Sequence, residues 1–506
     1  MEKNYRISHF NGPRETDELV IYINKPSTGT GVWGVEAVVE NGIVSSVGGN
    51  DKKIPEGDFV ISGHGKAALF IKNNITEGTK VRVDRENLVL YVNEDDDTRK
   101  FNFGRKIEEI KKRSEKSGIN SDKLIEEIEC AYSTGEYDKC KRLLEEAYYI
   151  TSTTKKGEIR GIWHRPLERS AEEIDACVRR LGNAGFNLLL IETIYDGFSI
   201  GKRCSYMPLR KDLADNDFDM IDEYIKACRK YRIKIHAWVE DFFVGSEHLK
   251  TSDSCGSPVI DEHPEWAARK KDGTIYMHSE PGFIYLNAAL PEVRGFLNDM
   301  YREMLDEYGF DGIQLDYIRY PVTTSVDESV GFDEYSVKAF FDSSGIDIRT
   351  VGSTDCMEWD KFVHWCAENV TIFVKMMYDL IREYKNNGRE LVLSTAVFGD
   401  PEAAIKLKSQ DWRLWCKKGW LDWIFPMAYL SDAGDVYKEV KYMVDNYRNV
   451  PNISGIAPMY NKLNVIESTK QVEACRDAGA SGVAFFAAHN LTDEQIDKLK
   501  TGVFRE

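Results

Sequence analysis

The sequence predicts an α/β protein: a (β/α)8 TIM barrel preceded by a small all-β domain and a short helical spacer. Three observations predict it. Over residues 157–506, strand-like apolar runs alternate eight times with stretches of helical periodicity. Residues 1–104 instead carry short runs of period two separated by turn residues, and residues 105–156 carry helical spacing alone. Finally, the segment after the first barrel strand, Trp163-His164-Arg165-Pro166-Leu167-Glu168, lacks the glycines that a doubly wound sheet favours there. The barrel is therefore preferred over the open sheet.

In the N-terminal part, strand runs are expected at 19–24, 35–40, 59–62, 80–84 and 87–92. Asn41-Gly42 marks a hairpin between two of them. Gly63-His64-Gly65 reads as a turn, and Asp95, Asp96 and Asp97 as a solvated loop that closes the domain. In the spacer, Ile107, Ile110, Leu124, Ile125, Ile128, Leu143, Leu144 and Ala147 recur at helical spacing, with Ser121 as an N-cap and Gly135 as a break. Barrel strands are expected at 158–164, 186–193, 234–241, 312–320, 391–398, 422–429, 453–460 and 482–489. Helical patterns at 171–181, 218–231, 293–308, 360–384 and 469–478 fall between them.

Composition narrows the ligands. The 506 residues hold 67 basic and 84 acidic side chains, a formal charge of −17, which argues against a nucleic-acid backbone as the main ligand. No apolar run approaches the roughly 20 residues of a membrane span. None follows the N-terminal Met1-Glu2-Lys3, so no signal peptide is expected; the chain reads as cytoplasmic, or extracytoplasmic if a leader has been removed. The ten cysteines form no C-x-x-C pair and no zinc-spaced cluster, which fits a reducing compartment. No metal and no cofactor is expected, and nothing in the chain sets an oligomeric state.

Barrel enzymes place their chemistry at the C-terminal ends of the strands. Here those ends bring acids, aromatics, histidines and amides together, a set suited to a ring of hydroxyls. On the fourth strand Gln314, Asp316 and Ile318 share a face, and an acid inside an apolar strand is costly unless paired or used. Arg319 would pair with a site acid, tie the loop or bind substrate. On the third strand His236, Trp238 and Glu240 share a face; Trp238 would either pack or stack on a sugar ring, and His236 is a hydrogen-bonded site histidine. On the second, Glu192 reaches the rim beyond Leu188 and Leu190. Two carboxyls flanking a scissile bond, one ionised and one holding a proton, are what glycoside hydrolysis requires. Asp316 with Glu240 or Glu192 would supply them. His164, Tyr317, Arg319, Tyr429, Tyr460 and His489, with His236 and Trp238, are the candidate substrate-binding residues. Neither a Walker loop nor H-E-x-x-H is present.

Several segments resemble the glycosyl-hydrolase-like family 10. They are Arg160-Gly161-Ile162-Trp163, Asn187 to Thr193, His236-Ala237-Trp238, Gly312 to Pro321, Gln410-Asp411-Trp412 and Phe425 to Tyr429. The resemblance spans about 157–490 and implies a TIM-barrel hydrolase acting on an oligo- or polysaccharide; one branch of that family acts on peptide-free peptidoglycan strands. It favours Glu192 as a shared acid, since relatives tend to carry Asn where this chain has Glu240-Asp241. Residues 54–65 weakly resemble a stretch of phosphodiester-glycosidase domains, read as a shared β-fold. The expected function is an O-glycoside hydrolase with Asp316 as nucleophile or electrostatic stabiliser. Two rivals stand beside it: a glycan-binding barrel without turnover, and a metal-dependent hydrolase if His164, His236 and His489 meet at the rim.

Overall fold

The computed structural model describes residues 2–31, 33–93 and 95–505. The N-terminal sheet is made of β1 (Glu2–Arg6), β2 (His9–Phe10), β3 (Leu19–Ile23), β4 (Val35–Glu40), β5 (Ile43–Val47), β6 (Phe59–Gly63), β7 (Lys80–Asp84) and β8 (Val89–Asn93). Their order across the sheet is β1-β8-β7-β5-β4-β6-β3-β2. The β4–β5 hairpin turns at Asn41 and Gly42, both at positive φ (52° and 73°), as a two-residue turn between right-twisted strands demands. The expected turn at Gly63-His64-Gly65 feeds a helix, α1 (Lys66–Asn74), whose Ala67, Ala68 and Ile71 seal one face of the sheet.

Asp95, Asp96 and Asp97 do not form the expected loop. Asp95 caps α2 (Asp96–Ser117), its carboxylate accepting the Thr98 N–H at 3.0 Å, and the two following acids sit in the first turn, where the helix dipole favours them. Helices α3 (Asp122–Ser133) and α4 (Tyr137–Ile150) complete the spacer around a small core of Ile107, Ile110, Ile125 and Ile128.

Eight parallel strands follow: β9 (Ile159–His164), β10 (Leu188–Tyr195), β11 (Lys234–Glu240), β12 (Gly312–Asp316), β13 (Val392–Val397), β14 (Trp423–Pro426), β15 (Ile453–Ile456) and β16 (Gly482–Phe485). They pair in sequence order, β16 pairs back with β9, and the bridges Ile424–Asn452 and Met427–Gly455 join β14 to β15. This is a TIM barrel. Its lumen is filled by Trp163, Leu188, Leu190, Trp238, Phe425, Ile453 and Ala484, so it is a packed core. The faces turned outward, such as Ile162, Leu189, Ile191, Ile235, Ala237 and Val239, pack under the helices in one large cluster. Between β11 and the helix Pro291–Glu307 the chain detours through a small antiparallel sheet of Phe243–Ser246, Phe283–Tyr285 and Tyr276–Met277. No helix among the described residues is long and apolar enough to cross a membrane.

Candidate active site

Strand register builds the site. Glu192 on β10 lies opposite Trp238 on β11, Trp238 opposite Gln314 on β12, and Glu240 opposite Asp316. With side chains alternating, Glu192, Glu240 and Asp316 all face inward at the strands' C-terminal ends. A bulge at Glu192–Ile194 shifts the β10–β11 register there, and the Thr193 hydroxyl donates to the Trp238 carbonyl at 3.0 Å.

Asp316 is the best-supported anion of the three. The Trp238 indole N–H donates to its Oδ2 at 2.9 Å and the Tyr317 N–H to its Oδ1 at 2.7 Å. The second bond is possible because Tyr317 turns into the left-handed region, φ 45°, which ends β12 at the site. Burial raises the Asp316 pKa, and these two donors work against that rise.

Glu192 and Glu240 are sealed, at 5 % and 1 % exposure. The Arg165 guanidinium spans them, with Nε 3.1 Å from Glu192 and Nη2 3.6 Å from Glu240. Neither oxygen of Glu240 has a hydrogen-bond partner of good geometry. Burial drives the Glu240 pKa well above the ordinary carboxylate range, the neighbouring Glu192 adds to it, and Arg165 only partly offsets both. Burial likewise raises Glu192, opposed by Arg165. One cation thus faces three acids, all of them pushed upward by burial, with two N–H donors working against the rise at Asp316 alone.

Two aromatic walls flank the acids. On one side stand Tyr195, Phe283 and Tyr317, backed by the fully buried Phe243, whose ring centre is 4.4 Å from Phe283 and 5.1 Å from Tyr317. On the other, Tyr429 stacks on Phe486 at 5.4 Å and Tyr460 meets Phe486 edge-on at 6.0 Å. The Arg165 guanidinium sits between the walls, 5.0 Å from the Tyr195 ring and 6.0 Å from Phe486.

The structure thus brings Glu192, Glu240, Asp316, Tyr317, Tyr429 and Tyr460 together, with the exposed His489 on the rim loop after β16. Four expected substrate contacts need correction. His164 points outward from β9, because its neighbour Trp163 takes the lumen; its Nε2 lies 2.7 Å from the Tyr224 hydroxyl under the helices. His236 is inward but deep, level with Gly312, stacked on Trp423 at 5.3 Å, and burial lowers its pKa to about 3. The three histidines therefore do not meet at the rim. Trp238 is 1 % exposed and its N–H is spent on Asp316, so it positions the acid and offers no sugar platform. Arg319 turns away into a two-pronged pair with Glu280, at 2.7 and 3.2 Å. Sequence reasoning left Arg165, Tyr195 and Phe486 out of the binding set; three inward acids on adjacent strands were the signal that a cation had to stand among them.

Two other motif-like stretches carry no chemistry. Gly197-Phe198-Ser199-Ile200-Gly201 has the spacing of a serine-hydrolase elbow, but Ser199 lies in a short strand pairing β10, is 1 % exposed, and receives the Gly201 N–H. Gly29 to Gly34 has dinucleotide-type glycine spacing, but it joins β3 to β4 instead of opening a helix.

The glycosyl hydrolase-like 10 family matches residues 159–453. The chain belongs to this family. The match covers β9 to the start of β15 and so includes Glu192, Glu240 and Asp316. Two solved structures share the fold. The PgaB (BpsB) glycoside hydrolase domain from Bordetella bronchiseptica aligns with TM-score 0.52 at 11 % identity, over 69 % of this chain and 99 % of that one. The catalytic domain of a β-amylase from Paenibacillus polymyxa aligns with TM-score 0.51 at 11 % identity, over 70 % and 99 % of the two chains. At such identity the likeness is one of fold. No curated protein sequence matches the chain.

Proposed function

We propose that the protein is an O-glycoside hydrolase acting on an oligo- or polysaccharide. The observation that carries this reading is the placement of Asp316, held by two N–H donors, beside Glu240 and Glu192 on the next two strands, where burial raises both glutamates. Glu240 is the acid: it is the more buried of the two and the farther from Arg165. It gives its proton to the glycosidic oxygen as the bond to the anomeric carbon breaks. Asp316 meets the positive charge that develops on that carbon, and water completes the hydrolysis by adding hydroxyl to the carbon and returning a proton to the acid. The aromatic walls offer flat apolar faces to the sugar rings on either side of the bond. No cofactor takes part in this scheme.

A second reading, a glycan-binding barrel without turnover, is favoured by one observation: both glutamates are almost sealed from solvent. Asp316→Asn separates the two. Under the hydrolase reading this variant binds the same oligosaccharide with a similar Kd in calorimetry and releases reducing ends at least about 10²-fold more slowly. A wild type that binds but never turns over belongs to the second reading.

A further inference from the structure

Behind Arg165, on the outer side of the barrel, a second group of polar side chains converges. His164 ends β9 facing the helices, Glu168 lies on the loop that follows, and Cys177 sits on the helix Ala171–Asn183. One ligand-type atom from each lies within 4.8 Å of the other two. The His164 Nε2 is 3.2 Å from the Glu168 carboxylate and 3.9 Å from the Cys177 sulfur. Bond lengths of about 2.0–2.1 Å to nitrogen or oxygen and 2.3 Å to sulfur make tetrahedral ligand–ligand edges of about 3.3–3.6 Å. The nitrogen–oxygen edge here is already of that size, and the nitrogen–sulfur edge is a few tenths of an ångström wide.

Charge points the same way. The Glu168 side chain is only 15 % exposed, and its one ion-pair partner among the described residues is His164. Among the described residues no Lys or Arg pairs with it; the half-buried carboxylate accepts the Leu167 N–H at 2.9 Å and stands beside an imidazole that is charged only when protonated. The Tyr224 hydroxyl donates to the Glu168 carboxylate and lies 2.7 Å from the same His164 Nε2; an ion would displace it from Nε2 and leave it as an outer partner of the bound carboxylate.

We propose that His164, Glu168 and Cys177 bind a zinc-class divalent cation, with the fourth position left to water. A thiolate, an imidazole and a carboxylate are the donor set such an ion takes. On binding, Cys177 releases its thiol proton to solvent, and the ion neutralises Glu168. The ion would pin the end of β9 and the loop after it, and with them Arg165, one residue from His164. Its role is structural, since it stands on the far side of the strand from Asp316.

The test is metal content of the full chain purified without chelator, followed by cobalt(II) added to chelator-stripped protein. We expect about one zinc per chain and a near-ultraviolet thiolate-to-cobalt band. Cys177→Ala and Glu168→Gln should each lower the bound zinc at least about tenfold. Cys177→Ala should also abolish the band, while Cys228→Ala, a buried thiol outside the cluster, should keep both signals. Circular dichroism on each variant separates loss of ligand from loss of fold. A wild type that carries under about a tenth of an equivalent and gives no cobalt–thiolate band overturns the proposal. So does zinc that survives both substitutions.

Discussion

At the scale of single residues, the account turns on how three acids divide one proton. Asp316→Asn should lower kcat by on the order of 10²–10⁴-fold; the single amide oxygen of asparagine can accept only one of the Trp238 and Tyr317 N–H groups that Asp316 accepts through separate oxygens, so a modest fall in melting temperature should accompany the loss. Trp238→Phe keeps the packing and removes one donor. It should cost about tenfold in kcat and move the acidic limb of the kcat/KM–pH profile upward, because that donor favours ionised Asp316. Glu240 makes a further prediction about stability. Its folded pKa is raised, so its contribution is intact below the unfolded value of about 4.3 and is lost as pH rises through the folded value. Glu240→Gln should therefore melt higher than wild type at pH 8, match it near pH 4, and be inactive; thermal melts at the two pH values check this. The three acids were legible because period two and the barrel rule together put them at one rim. His164 was misplaced because the sequence does not say which of Trp163 and His164 takes the lumen. His236 was assigned the right face, but four residues below Glu240 is about 13 Å down the barrel.

At the scale of elements, the sheet of Phe243–Ser246, Tyr276–Met277 and Phe283–Tyr285 is tied to the end of β12 by the Arg319–Glu280 pair, and Glu280 also accepts from Tyr285 and from the Val322 N–H. The Arg319 side chain is buried and that of Glu280 nearly so, 7 % and 11 % exposed. Glu280→Ala leaves the guanidinium without its partner and should destabilise the fold by about 3–5 kcal/mol, seen in urea melts. It should also raise KM, since Phe283 and Tyr317 form one wall of the site. Of the readings the sequence left open for Arg319, the loop tie is the one found, with Glu280 as its partner; the left-handed turn at Tyr317 breaks the alternation two residues earlier and turns Arg319 from the site. The Asn41-Gly42 hairpin was readable from its turn chemistry alone. The acids at 95–97 were not, since the same run serves a solvated loop or the first turn of a helix, and the apolar residues of α2 that decide between them lie ten and more positions away.

At the scale of the whole molecule, both N-terminal parts lean on the barrel. Lys72 of α1 pairs with Asp432 at 2.7 Å, His64 approaches Asp435 at 3.2 Å, and the Gly34 N–H donates to Asp435. These acids lie just beyond Tyr429, so the β-domain braces the loop that carries one wall of the site. The spacer grips the helix Val465–Asp477 through Arg113–Glu473 and Lys116–Asp477. Removing residues 1–104 strips buried Asp432 and Asp435 of these partners. The truncated chain should melt at lower temperature than the full chain in calorimetry. None of these pairs could be read from the sequence, because their members stand more than 350 positions apart. Such contacts also brace the rim that carries the three acids, and the proposed activity of that rim is the central claim. The most direct measurement is reducing-end release by wild type and Asp316→Asn from denuded peptidoglycan strands, chitin oligomers and plant polysaccharides, across about pH 4 to 8. The account predicts release by the wild type alone; saturable binding of a glycan with no release at any pH in that range would contradict it.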